Sequence, residues 1–133
     1  FDLRDNASLE SSPFGSEVYY KRYPLSAYYS DLVDLTKSHY AEMAALLRAV
    51  FDVVIHGNGV IYHCSLGRDR TGDLSFILLA LLGVSRKHVD MDYELRAFLS
   101  LGCRNAQKRT SANYTGLANY FASFGKSSSG IMS

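Results

Sequence analysis

Apolar positions recur with helical spacing in one long stretch. Tyr40, Met43, Ala44, Leu47, Val50 and Phe51 follow i, i+3, i+4, i+7, which predicts a helix over residues 38–51 with one buried face. Leu32, Val33 and Leu35 also favour burial, so this helix starts either at Ser38 or earlier, near Asp31; the pattern leaves its end open. Residues 69–82 are rich in Leu, Ile and Ala, too long for one strand, and stop at Gly83, a good C′ residue, which predicts a buried helix. Ser85 suits the N-cap of a helix through Leu99, and Ser111 or Asn113 that of a helix through Phe124.

Shorter segments are β-prone. Residues 1–4 suit the end of a strand, and residues 17–23 suit a second strand halted by Pro24. A polar loop containing Ser8, Ser11, Ser12, Pro13 and Gly15 separates them. Residues 60–63, after the turn signal His56-Gly57-Asn58-Gly59, read as a buried parallel strand. Strand, helix, strand, loop and then three helices predict an α/β fold with a reactive loop at the carboxyl end of a central strand. No repeat or linker divides the chain, so residues 1–125 form one domain, and residues 126–133, with three consecutive serines and Gly130, form a flexible tail.

Composition narrows the function classes. A chain of 133 residues with 47% hydrophobic and 20% charged residues is large enough to bury one core. Its net charge of +1 and the isolated pairs Lys21-Arg22, Arg86-Lys87 and Lys108-Arg109 predict no nucleic-acid partner. The apolar run 76–84 is too short to span a bilayer, and no signal sequence begins the chain. Phe1 starts directly in a strand-like segment, which predicts that residues upstream were removed, are disordered or reside on another chain. Cys64 and Cys103 are too few for a disulfide framework and favour a reducing, cytoplasmic compartment, with a secreted effector as the alternative. Tyr19, Tyr20, Tyr23, Tyr28 and Tyr29 crowd together, either as ordinary amphipathic packing or as an aromatic rim around a pocket.

The chemistry is concentrated in His63-Cys64-Ser65-Leu66-Gly67-Arg68-Asp69-Arg70-Thr71-Gly72, between a predicted strand and a predicted helix. A helix N-terminus and nearby guanidinium groups favour the thiolate, the reactive form of Cys64. Successive backbone N–H groups over Ser65, Leu66, Gly67, Arg68, Asp69 and Arg70 make an anion nest, and Gly67 lets the main chain bend closely around phosphate oxygens. Arg70, in the first helical turn, can bind two of those oxygens through its planar fork. The Thr71 hydroxyl is placed to stabilise the thiolate as a leaving group. Gly67 to Gly72 also has the spacing of a nucleotide-binding loop, but Asp73 stands where that loop needs lysine, so an NTPase is excluded.

This stretch resembles the tyrosine and dual-specificity phosphatase superfamily, and most closely the bacterial and fungal tyrosine-phosphoinositide phosphatases with a His-Cys-x-x-Gly-Lys-Asp-Arg-Thr-Gly loop. Arg68 replaces the lysine of that loop. A weaker likeness extends through Asp2-Leu3-Arg4 with Glu10, Tyr23-Pro24-Leu25, Gly83-Val84-Ser85 and Asp92-Tyr93. The resemblance implies a central, mostly parallel sheet flanked by helices, lacking here the N-terminal segment that family members carry before Asp-Leu-Arg. It implies phosphomonoester hydrolysis through a phosphocysteine, with no metal and no cofactor. Substrates would be phosphotyrosine-like proteins or phosphoinositides, and phosphate, sulfate or vanadate would occupy the loop.

The position of the family's Trp-Pro-Asp acid reads Tyr23-Pro24-Leu25, so resemblance to the Lys-Asp-Arg loop selects Asp69 as general acid, with Asp31 or Asp34 as alternatives on a mobile segment. Arg4 either lines the site or pairs with Glu10 or Asp5, and Arg68 is either a second cation for polyanionic substrates or a surface residue. His63 orients the loop, whereas His39, His56 and His88 have no partners at ligand spacing. Cys103 reads as structural. Two other functions fit the same loop: a noncatalytic phosphate-binding module, and a thiol redox or sulfur-transfer enzyme, against which Arg70-Thr71-Gly72 argues.

Overall fold

The glycines that follow the two long apolar helices act through the backbone. In the computed structural model, which describes residues 1–5, 14–95 and 112–124, the helices among the described residues are α1 (Tyr29–Val33), α2 (Ser38–Ile55), α3 (Asp69–Leu81), α4 (Arg86–Leu95) and α5 (Ala112–Phe124). At the end of α3 Gly83 takes φ +72°, its N–H donates to the Ala80 carbonyl at 3.1 Å, and the Val84 N–H donates to Leu79 at 3.0 Å. These are the paired bonds of a Schellman motif. Gly57 repeats them at the end of α2, with φ +81°, its own N–H on Val54 at 2.9 Å and Asn58 N–H on Val53 at 3.2 Å. The helix thus runs to Ile55, past the last periodic apolar residue at Phe51.

Asp34 decides how that helix begins. Its Oδ1 accepts from the Thr36 N–H at 2.9 Å and the Thr36 hydroxyl at 2.7 Å, an Asx turn that diverts the chain from helix. Leu32 and Val33 consequently belong to the separate α1, and α2 starts at Ser38. Ser85 sits immediately before α4, where the expected N-cap belongs; its carbonyl accepts from His88 and Val89 N–H groups and its hydroxyl meets His88 Nδ1 at 2.9 Å.

Three extended segments run side by side. Asp2 forms parallel bridges to Arg22 on one side and to His63 on the other, so the segment beginning at Phe1 lies in the middle. Its Leu3 N–H donates to His63 at 2.8 Å, and Tyr23 N–H donates to Asp2 at 2.8 Å. The pairing among the described residues consists of these isolated bridges. Residues 16–18 lie in a turn, so the second extended segment is shorter than the predicted 17–23.

Asp2 is sealed from water and tied down on several sides. Arg4 Nε and Nη2 reach its carboxylate at 2.9 and 2.8 Å, and the Tyr20 hydroxyl donates to it at 2.6 Å. Burial alone would raise its pKa, but these bonds and the Arg4 backbone N–H hold it well below the usual carboxylate range.

The core lies between these segments and the helices: Leu3 and Leu25 meet Met43 and Leu46 of α2, Leu74 and Ile77 of α3, and Leu117 of α5. With no tryptophan in the chain, phenylalanine and tyrosine fill the wide gaps. Phe76 stands edge-on to Tyr114 at 5.6 Å, and Tyr93 packs on Tyr114 at 4.5 Å. The buried Tyr114 hydroxyl is reached by Arg86 Nε at 3.0 Å. Asn113 ties three helices together, donating to the buried Asp73 of α3 at 2.7 Å and accepting from the Tyr29 N–H of α1 at 2.6 Å. Gly116 of α5 leaves room for the Tyr29 ring, which occupies the space a Cβ would need. Leu99, Ser111, Cys103, Glu10, Lys108-Arg109 and the tail 126–133 lie outside the described residues. No helix among the described residues is long and apolar enough to cross a membrane.

Candidate active site

His63 ends its extended segment at the bridge to Asp2, and Cys64 follows where the chain turns away. Residues 65–68 bend back, with Gly67 at φ +71°, a conformation that costs side-chain-bearing residues about 1–2 kcal/mol. Arg68 then takes the N-cap position of α3 without placing a side-chain bond on the helix's first N–H groups. Those donors are therefore not consumed by a cap.

The Cys64 sulfur occupies the place a cap would fill. Burial raises its pKa, but the Thr71 hydroxyl and the backbone N–H groups of Thr71, Leu66 and Gly67 outweigh it, so the thiol ionises below its ordinary value. Thr71 is the third residue of α3, the position whose N–H an N-cap side chain ordinarily takes. The Thr71 hydroxyl is buried with no hydrogen-bond partner among the described residues, and its place beside Cys64 makes it one of the groups that lower the thiol's pKa. His63 Nδ1 lies 3.3 Å from the Cys64 carbonyl, which can only accept, so that nitrogen carries the proton and steadies the start of the loop.

Arg70 is largely buried, its side chain 16% exposed, and its Nη1 donates to Asp5 Oδ1 at 2.7 Å. Asp5 follows Asp2-Leu3-Arg4 at the carboxyl end of the middle segment, the same end at which Cys64 leaves its own. Asp69 is exposed in the first turn of α3, Ser65 and Leu66 are exposed, and Gly67 and Arg68 are half-buried. The loop from Cys64 to Thr71 thus brings sulfur, N–H groups, a guanidinium and a carboxyl to one helix start.

The other candidate acids are occupied elsewhere. Asp31 accepts the Ser26 hydroxyl at 2.7 Å. The hydroxyl and N–H of Thr36 hold the Asp34 carboxyl below its ordinary value. Arg4 engages Asp2, its neighbour two positions back, and Glu10, one of its two expected partners, lies outside the described residues. Alternation along an extended segment puts residues 2 and 4 on one face, so this pair was readable in the sequence. The pairing of Arg70 with Asp5, 65 positions apart, had no such local signal.

Tyr19 and Tyr20 line a cleft of about 530 Å³ with Phe1, Val60, Ile61 and His63, and Cys64 to Thr71 take no part in it. Of the other clustered tyrosines, Tyr23 is buried and Tyr28 is exposed. A second, apolar cleft of about 290 Å³ lies among α1, α2, α3 and α5 and likewise excludes the loop.

No curated protein and no solved structure matches this chain. The family model described as "Tyrosine phosphatase family" matches residues 1–130, nearly the full length, and the cysteine loop lies inside the match. The chain belongs to the tyrosine phosphatase family.

Proposed function

We propose that this phosphatase hydrolyses phosphomonoesters through a covalent phosphocysteine on Cys64. The observation that carries the reading is the buried Cys64 at the start of α3, whose first N–H groups no side chain caps, in surroundings that favour the anion although desolvation opposes it. The thiolate attacks phosphorus in line. The S–P bond forms as the P–O bond to the leaving group breaks, and Asp69 gives its proton to the departing oxygen. Water then attacks the phosphocysteine, its proton passes to the Asp69 carboxylate, and the thiolate departs with the Thr71 hydroxyl and N–H stabilising it. Arg70 and the N–H groups of residues 65–70 hold the phosphoryl oxygens throughout. These steps call on no metal or cofactor.

Asp69 is the acid in this scheme because it is exposed beside Arg70 in the first turn of α3, at the loop itself, whereas Asp31 and Asp34 belong to α1 and its C-terminal end. The accompanying fold is the α/β one, with the bridged segments at the centre of a mostly parallel sheet. Phosphotyrosine-like proteins and phosphoinositides are the substrate classes, and Arg68 at the loop would favour the more highly charged of them. A reducing compartment would keep the thiolate available.

The test is hydrolysis of p-nitrophenyl phosphate in the presence of a chelator. Turnover blocked by vanadate and abolished by Cys64→Ser is expected. Phosphate binding without turnover in the wild type would make the chain a phosphate-binding module instead. Asp69→Asn should remove the basic limb of the kcat profile, and an unchanged profile would move the acid elsewhere. Comparing a phosphotyrosyl peptide with phosphoinositide substrates assigns the substrate class.

A further inference from the structure

We propose that Asp5 is the positioning residue for Arg70, fixing the guanidinium plane so that its Nε–Nη2 edge faces the phosphoryl group. This inference deepens the phosphatase reading and rests on it. Two adjacent, parallel N–H groups are needed to clamp two phosphate oxygens, and a guanidinium offers them along an edge. Asp5 takes one nitrogen only, Nη1, through one oxygen, at 2.7 Å. Arg70 makes no other hydrogen bond to a described residue, so the opposite edge is left for an anion.

The asymmetry of burial fits this division of labour. The Arg70 side chain is 16% exposed and Asp5 is 55% exposed, so the carboxylate is solvated on its far side while it anchors a guanidinium that the fold has mostly enclosed. A long side chain held at one nitrogen before substrate arrives has less rotamer freedom to lose on binding. Asp5 also opposes binding, because its negative charge lies near the phosphate. The two effects have opposite signs and different chemical origins: the first needs a hydrogen-bond acceptor, the second needs a charge.

Substitution separates them. Asp5→Asn keeps an acceptor oxygen and removes the charge, whereas Asp5→Ala removes both. Binding of tungstate, a phosphate-shaped dianion, is measured by calorimetry on wild type and both variants, together with kcat and KM for p-nitrophenyl phosphate and a thermal melt. Asp5→Ala should weaken tungstate binding about fivefold and raise KM in step, although it deletes a repelling charge, and Asp5→Asn should restore wild-type or tighter binding. Tungstate binding that is unchanged or tighter in Asp5→Ala overturns the proposal, as does equal weakening in both variants. Calorimetry needs no turnover, so wild-type protein that binds tungstate but hydrolyses nothing defeats the enzymatic reading while leaving this comparison decisive.

Discussion

The Tyr62 hydroxyl lies 2.6 Å from the Ser75 hydroxyl. Ser75 spends its only proton on the Thr71 carbonyl one helical turn back, at 3.0 Å, so Tyr62 must be the donor between them. The residue before His63 is thereby latched to the first turns of α3.

Breaking this latch has a predictable cost. Tyr62→Phe leaves the half-buried Ser75 oxygen without its donor and should cost about 1 kcal/mol, lowering the melting temperature by roughly 3–5 °C. Ser75→Ala instead strands the Tyr62 hydroxyl and should cost a similar amount. The double variant leaves no stranded group, so its loss should fall well short of the sum of the two singles, as chemical denaturation of all four proteins will measure.

Thr71→Ala addresses the thiolate directly. The Thr71 hydroxyl is one of the groups that bring the Cys64 pKa below its ordinary value, while the N–H groups of Thr71, Leu66 and Gly67 survive the substitution. The pKa should therefore rise part of the way back. The acid limb of iodoacetate inactivation, with Cys64→Ser as the blank, should move to higher pH. A depressed thiol pKa stabilises the fold above the unfolded thiol's pKa and loses that contribution as pH falls through the folded value. Thr71→Ala should therefore shrink the stability gained on raising the pH from neutral to about 9.

How much of this was legible depended on how local the determinants are. The loop from His63 to Gly72 could be read because a strand end, a tight bend and a helix start require particular residues within ten positions. Gly83 marked the end of α3 in the same way. Gly57 carried an equivalent signal for α2, but apolar periodicity tracks burial, and Val54 and Ile55 are 53% and 75% exposed, so the pattern faded before the helix did. Asp34 resembled a candidate acid in sequence; its role as a turn former rests on Thr36, two residues on. Asp5 and Arg70, and Tyr20 and Asp2, meet only because separate segments pack side by side, and no spacing rule reports that.

Asp2 sets the acid stability of the central segments. Because its folded pKa is depressed, its contribution is complete above the ordinary carboxylate pKa near 4 and is lost as the pH falls from there toward the folded value. Asp2→Asn leaves Arg4 and Tyr20 facing a neutral amide in a site sealed from water. It should cost about 3 kcal/mol at pH 7, measured by urea unfolding, and flatten the stability profile between about pH 4 and 2. An acid limb that survives Asp2→Asn unchanged would belong to other carboxylates.

Gly67 and Gly59 make a matched pair for separating backbone strain from crowding. A Cβ at either position meets nothing within 4 Å, so neither substitution by alanine creates a collision. Gly67 alone has a positive φ, at +71°, where an alanine costs about 1 kcal/mol or more, and its N–H is one of the donors on Cys64. Relief of that strain would turn the N–H away from the sulfur. Gly67→Ala should therefore lower stability by about 1 kcal/mol, raise the Cys64 pKa and reduce kcat/KM for p-nitrophenyl phosphate about tenfold or more. Gly59→Ala restricts only the unfolded chain and should be neutral or stabilise by about 0.5 kcal/mol, with the thiol titration unmoved. Equal effects at the two glycines would mean that the bend at residue 67 does not shape the thiolate site.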